Sequence, residues 1–313
     1  MSFIEVKNLK KYFSVPNGTL HAVDDVNFHI SKGETLGLVG ESGCGKSTIG
    51  RVILRLIPHT DGEVFYDGEN IFSYGDSRMR EMRKKMQIIF QDPYSCLDPR
   101  KTVGQIISEP LEINNIARGK ELNGLVLDLM TKGGVSRRLY NTYPHELDGG
   151  RRQRVGIIRA LALNPEFIVC DEPVSSLDVS IQAQILNLLQ DLQKNLGLTY
   201  LFISHDLSAV KHISNRIAVM YLGQIAELCK SSDLFNNPQH PYTRALLSAI
   251  PIAKYNFKRN ERIILKGDVP SPVNPTPGCR FVGRCWMAKD ICSQVTPKLK
   301  EVSPEHFACC HLL

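Results

Sequence analysis

The first thirty residues alternate apolar and polar side chains, with Phe3, Ile4 and Val6, then Val23, Val26, Phe28 and Ile30, in the apolar set. A period of two predicts antiparallel strands, and Pro16 to Gly18 supplies the turn between them. Residues 35–39 are a short apolar run ending in Gly40, the pattern of a fully buried strand. From 46 to 57 the apolar positions recur at helical spacing until Pro58 stops them. Residues 61–66 and 87–90 read as further strands.

The pattern changes between about 92 and 163, where helical periods at 103–113, 122–130 and 155–163 are joined by loops bearing Gly and Pro. This predicts a helical insertion. Strand and helix then alternate: strands at 167–170, 200–204 and 217–221, helices at 181–196 and 207–213. That rhythm predicts a mainly parallel sheet covered by helices. After Leu228 regular patterning fades into a Pro-rich tail with one short helix near 242–250.

Composition narrows the class. At 313 residues, 42% hydrophobic and 22% charged, the chain suits a large globular domain with or without a small one. No run approaches the ~18 apolar residues of a membrane span, and no apolar leader opens the chain, so a cytosolic protein is expected. The net charge of +6 is dispersed, and its densest runs (78–85 and 151–154) lack interleaved stacking aromatics, so no nucleic-acid partner is expected. Of nine cysteines, Cys279, Cys285, Cys292, Cys309 and Cys310 crowd the tail. An odd count in a cytosolic chain argues against a disulfide framework.

The clearest chemistry lies at Gly40, Glu41, Ser42, Gly43, Cys44, Gly45, Lys46, Ser47 and Thr48, a P-loop between a buried strand and a helix. Glycines let backbone N–H groups turn toward phosphate oxygens, and the helix N-terminus adds positive potential. Lys46 supplies a point charge to the β- and γ-phosphates, and Ser47 a hydroxyl for Mg²⁺. Cys44 has two readings: a thiol acidified by the loop's dipoles, or a small space-filling residue. Downstream, an apolar strand ends in Asp171 and Glu172, a Walker B pattern in which Asp171 orients Mg²⁺ and Glu172 polarises the attacking water.

With these, the chain resembles the ABC-transporter ATPases over about residues 1–230. Gln91 stands where that family has its Q-loop glutamine and a further Mg²⁺ ligand. Leu147, Asp148, Gly149, Gly150 and Arg151 stand where it has its signature motif, Asp178 closes a D-loop, and His205 follows a strand as the switch histidine does. Phe13, or its neighbour Tyr12, takes the place of the aromatic stacked on adenine. The resemblance implies a RecA-like α/β core with an antiparallel β subdomain, an inserted helical subdomain and a small Cys-rich extension at 231–313. It also implies ATP and Mg²⁺ as ligands and Glu172, His205 and Gln91 as catalytic residues.

A narrower resemblance, carried by residues 93–100, 237–244 and the cysteine tail, is to the ATPases of oligopeptide and dipeptide importers. It favours the second of the two ATPase subunits such importers use. It implies a peripheral protein at the cytoplasmic face of the membrane, a heterodimer with a second ABC ATPase, two permease subunits and, indirectly, a substrate-binding protein. A nickel or metal-chelate importer shares the motifs, and a soluble non-transport ABC ATPase is the more distant alternative.

Two departures matter. The usual signature is Leu-Ser-Gly-Gly-Gln, and this chain has Asp148 and Arg151 in place of the serine and glutamine. Ionised Asp148 accepts hydrogen bonds only and sets a like charge against a phosphate, with Arg151 available to compensate. The two composite ATP sites of a heterodimer are then unequal, or the change is a fully active variant. In the tail, the importer resemblance places a cysteine before a histidine, which selects Cys310 over Cys309. Cys279, Cys285, Cys292 and Cys310 then make a ligand set for a [4Fe–4S] cluster, which some members of that family carry. Zn²⁺ and unmetallated thiols are the alternatives.

Overall fold

The computed structural model describes residues 2–250 and 262–313; Met1 and residues 251–261, the latter within the expected extension, lie outside the described residues. The chain divides into two compact units, one made of the segment up to Ser31, Thr35–Phe72 and the chain from Ser204 onward, the other of Lys32–Glu34 and Ser73–Ile203.

In the first unit the alternating N-terminal residues form a hairpin, Ser2–Val15 against Gly18–Ser31, extended by Asp61–Tyr66 and Glu69–Asn70 into a four-stranded antiparallel sheet. Tyr12 faces His21 and Phe13 faces Leu20 across the hairpin, and register irregularities lie just before Tyr12. A shift of this kind bends a strand and re-aims its side chains. Thr35–Val39 is buried at every residue and pairs in parallel with Arg216–Tyr221. The helix that follows is shorter than its apolar period. It runs Lys46–Ile53, because Arg55 takes a left-handed backbone (φ 51°) that ends it ahead of Pro58.

The tail holds more structure than its patterning predicts. Gln224–Lys230 is a strand antiparallel to Arg216–Tyr221; His306–Ala308 pairs with it, and Lys300–Ser303 pairs with His306–Ala308. Helices Ser231–Asn236 and Pro241–Ser248 lie between. Strands of three or four residues are too short to show a period, and their order comes from an existing sheet edge.

In the second unit Met86–Ile89, Phe167–Asp171 and Thr199–Ser204 form a parallel run. Helices Val103–Ile113, Gly119–Lys132 and Gly149–Leu161 pack around Val103, Ile107, Val126, Met130, Val155 and Ile158. Thr102 and Gln105 close a reciprocal capping box at the first of these helices.

The extension is pinned by a buried carboxylate. Glu227, fully buried, accepts from the backbone N–H of Gln239 (2.7 Å) and of His240 (2.8 Å) and lies 2.7 Å from His306 Nε2. His240 then caps the helix Pro241–Ser248, its Nδ1 accepting from the Tyr242 N–H at 3.1 Å. That bond needs an unprotonated Nδ1, and burial lowers the His240 pKa to about 4.

This gives an acid-stability prediction. Neutral His240 contributes its full stability above pH 6.5 and loses it as the pH falls from 6.5 toward about 4. The drop corresponds to about 3 kcal/mol. Urea unfolding at pH 7 and pH 5 should show a lower midpoint in acid, and His240→Gln, which keeps an acceptor but does not titrate, should flatten that difference. Glu227 and His306 remain in the variant, so any slope they cause stays visible.

Candidate functional site

The strand Thr35–Val39 delivers Gly40 into a loop built by positive backbone angles at Gly43 (φ 77°) and Gly45 (φ 107°). A Cβ on Gly45 would lie 1.9 Å from the Ala22 carbonyl oxygen, and one on Gly40 would lie 2.2 Å from that of Met220. Both positions need glycine for conformation and for room. Lys46, 4% exposed, curls back so that Nζ donates to the carbonyls of Gly40 (2.8 Å) and Glu41 (3.0 Å). Ser47 and Thr48 follow in the first turn of the helix.

Cys44 resolves in favour of packing. It is 3% exposed; burial raises its thiol pKa, outweighing the lowering effect of Lys46. Its carbonyl accepts from the Gly223 N–H at 2.9 Å, which ties the loop to the turn after Arg216–Tyr221.

Of the two aromatics, Tyr12 is engaged on the sheet. Its ring stacks on His21 (centroids 4.0 Å apart), and its hydroxyl donates to Asp24. Phe13, on the opposite face by strand alternation, carries the Lys11 ammonium 4.6 Å from its ring centroid. Of the two adenine-platform candidates, Tyr12 thus has its partners on the sheet, while Phe13 presents its ring to a cation. His205 follows Thr199–Ser204 and is exposed, directly before Asp206, which caps the helix Leu207–Ile213 through the Ser208 N–H.

In the second unit Asp171 ends its strand at 2% exposure, and Glu172 turns into a left-handed conformation, φ 48°. Its N–H donates to the Ile203 carbonyl (3.0 Å), and its carbonyl accepts from the Ser175 hydroxyl (3.1 Å). Its carboxylate accepts from Gln91 Nε2 at 3.1 Å. Two residues far apart in sequence thus meet.

Asp148 is the N-cap of Gly149–Leu161: Oδ1 accepts from the Arg151 N–H at 2.7 Å, and Oδ2 lies 3.3 Å from Arg151 Nε. The carboxylate and guanidinium pair locally, and both side chains are more than half exposed. Gly150 is buried, and a Cβ there would meet Ile181 Cγ2 at 2.6 Å, so close packing alone demands glycine. Asp178 begins the helix Val179–Leu196 and is exposed.

The tail thiols gather. Burial, with smaller contributions from Cys292, Cys310 and Cys285, raises the pKa of Cys279 to about 11; burial also raises Cys285, and Cys310 and Cys292 add to it. Cys309 feels Cys279 and Cys310, yet its thiol donates to the Pro297 carbonyl at 3.0 Å, and burial pushes it up to about 12. Among the described residues, the metal-type group with mutually close ligand atoms (all within 4.8 Å) is Glu227, Cys229 and His306. The carboxylate there is already saturated by two backbone N–H groups and His306, and burial keeps the Cys229 thiol protonated, so the trio reads as a structural anchor. The sequence reading did not single out Asp24, Glu227 or Arg280; Glu41 in the phosphate loop, Tyr242 in the 237–244 segment and Arg284 in the cysteine tail lay within its motifs but were given no contact of their own.

A phosphate loop on a strand–helix turn, a strand ending in adjacent carboxylates and a capped glycine pair opening a helix together define a P-loop ATPase of the ABC class. The ABC transporter family profile matches residues 23–175, and that of the oligopeptide/dipeptide transporter C-terminal region matches 226–292. The chain is 50% identical to the oligopeptide transport ATP-binding protein AppF of Bacillus subtilis, across 99% of this chain and 97% of that one. It is 49% identical to the dipeptide transport ATP-binding protein DppF of Haemophilus influenzae, across 97% and 95%. Among solved structures, a dimeric ATP-binding cassette, MJ0796, bound to ADP and Pi in a post-hydrolysis state, is similar at a TM-score of 0.67 and 30% identity, covering 73% of this chain and 98% of that one. The chain belongs to the ABC transporter ATPases that carry the oligopeptide/dipeptide C-terminal region.

Among the described residues no helix is long and apolar enough to cross a membrane.

Proposed function

We propose that this chain is the ATP-hydrolysing subunit of an ABC importer for di- and oligopeptides, bound at the cytoplasmic face of the membrane to two permease subunits. The support is similarity to named peptide importer subunits along nearly the whole chain, C-terminal region included. A second ATPase subunit, different from this chain, and a substrate-binding protein complete the assembly.

The residues divide the work. Phe13 stacks on adenine, and the loop amides from Gly40 to Thr48 hold the phosphates while Lys46 neutralises them. The hydroxyl of Ser47, the Gln91 amide oxygen and the Asp171 carboxylate are hard oxygen donors that fit Mg²⁺. That ion, when bound, supplies Lewis-acid stabilisation of the phosphate charge. Glu172 orients and polarises the attacking water, with Gln91 fixing its carboxylate, and His205 contributes a hydrogen bond to the transferred group. Asp148, Gly149, Gly150 and Arg151 face the nucleotide of the partner ATPase, and Asp178 lies beside that contact.

Paired to its own Arg151, Asp148 offers the partner's nucleotide no hydroxyl donor, so the two composite sites work at unequal rates. The soft thiols Cys279, Cys285, Cys292 and Cys310, the third buried and the others partly exposed, suit a [4Fe–4S] cluster, with zinc as the alternative.

Three measurements follow from this reading. Glu172→Gln should keep ATP binding and lower turnover by at least about 100-fold, while the chain still co-purifies with two membrane proteins; full turnover would remove Glu172 from its role. Asp148→Ser, studied by single-turnover hydrolysis in the ATPase heterodimer, should accelerate the slower of two phases; two unchanged phases would make Asp148 a neutral variant. Anaerobically purified protein should contain iron and sulfide and absorb broadly in the visible, and Cys285→Ala should bleach it. Colourless protein with one zinc per chain would replace the cluster with zinc.

A further inference from the structure

Between Cys279 and Cys285 stand two arginines, and each ends on a carboxylate of the nucleotide scaffold. Arg284 Nη1 donates to both oxygens of Glu41, at 3.1 and 2.9 Å, and Glu41 is the second residue of the phosphate loop. Arg280 Nη2 pairs with Asp24 Oδ2, while Asp24 Oδ1 accepts from the hydroxyl of Tyr12, the residue before the adenine-platform Phe13. The arginine side chains are 10% and 11% exposed, so both pairs are screened less than surface pairs.

The residue between them joins the same network. Phe281, 2% exposed, packs edge-on against Tyr221 and beside Tyr242, and the Tyr242 hydroxyl accepts from the Glu41 N–H at 3.1 Å. Upstream, the chain lies along the hairpin: Pro272 O accepts from the His21 N–H (3.0 Å), and Asn274 exchanges hydrogen bonds with Thr19. Residues Val269–Pro272 and Glu41–Cys44 wall a cavity of about 270 Å³. The extension therefore touches the phosphate loop and the strand that carries the adenine platform.

Fold stability is a poor explanation for these arginines. Arg280 Nη1 and Arg284 Nε are both buried without a hydrogen-bond partner. Orphan donors of this kind are destabilising and call for another reason. Electrostatics supplies one at Arg284. Without its guanidinium, the Glu41 carboxylate would stand as an uncompensated negative charge on the loop that receives phosphates.

We propose that Arg280 and Arg284 are positioning residues for ATP, through which the state of the four-cysteine module sets nucleotide affinity. The inference rests on the ATP-site reading above. Arg284 cancels the charge of Glu41 and holds the loop through it; Arg280 fixes Asp24 and Tyr12, and so the tilt of the strand that presents Phe13. The arginines sit in the short loop closed by Cys279 and Cys285, whose one helical turn is Val282–Arg284. A group held by Cys279 and Cys285, at the two ends of that loop, would restrain the segment that carries both guanidiniums.

The test is equilibrium titration of the full chain with a fluorescent ATP analogue, with thermal melting in parallel. Arg284→Ala should weaken binding about three- to tenfold, less at high salt, and Glu41→Gln in that background should recover at least half of the loss. Arg280→Ala should weaken binding without that rescue. Wild-type protein stripped of tail metal by a chelator under reducing conditions should weaken by a similar factor, and the Arg280→Ala/Arg284→Ala double variant should show no further change on stripping. A lower melting temperature with unchanged affinity in the arginine variants would reduce the pair to a structural role and overturn the inference. Equal affinity of loaded and stripped wild type would overturn the coupling. Absence of analogue binding by the wild type would instead overturn the ATP-site reading.

Discussion

A loop that must aim its amides at a ligand cannot bond those amides to a sheet or helix, so it has to be held by others. That constraint organises the unit around Gly40 to Ser47. Lys46 closes the loop from within on the carbonyls of Gly40 and Glu41. Gly223 holds the Cys44 carbonyl, Tyr242 the Glu41 N–H, and Ala22 stands directly against Gly45. The neighbours come from the hairpin, from the turn after Arg216–Tyr221 and from the C-terminal extension. The inclusion of the extension in this unit follows from the loop's need for partners on every side.

The carboxylate end solves a different problem. In a regular strand Asp171 and Glu172 would face opposite ways. The left-handed backbone at Glu172 breaks that alternation, at a conformational cost of about 1–2 kcal/mol, and the Ile203 carbonyl and Ser175 hold it in place. The carboxylate then meets Gln91. Strain of this sort persists where surrounding bonds over-determine it, and the bonds to Ile203, Ser175 and Gln91 do so here.

What the sequence made legible follows from the range of the forces involved. Buried strands such as Thr35–Val39 and Phe167–Asp171, and the helices around Val126 and Ile158, carry their period in contiguous residues. The P-loop and the adjacent carboxylates were legible because their chemistry demands fixed residue types at fixed spacing. The contacts that engage Tyr12 were not, since they depend on where Asp24 and His21 lie across a hairpin. The strands His306–Ala308 and Lys300–Ser303 are ordered by an edge far away in sequence. The buried Glu227 reads in sequence as one more polar residue in an apolar stretch; only the fold brings Gln239, His240 and His306 to it. The partners of Arg280 and Arg284 stayed hidden for the same reason, because a guanidinium's partner cannot be inferred from its own neighbours.

The departure at Asp148 shows how local physics and function can separate. Serine and aspartate are about equally good N-caps, each supplying an oxygen to the backbone N–H at the third helical position. Here Asp148 accepts from the Arg151 N–H, as a serine hydroxyl would, and its charge also favours the positive helix end. The fold therefore exerts little pressure against the change, and Gly150 keeps its place for packing reasons that do not involve position 148. What changes is outward: a group able to donate has become one that only accepts, held by the Arg151 guanidinium on the same turn. A substitution silent for the helix thus alters what the helix end presents to whatever approaches it.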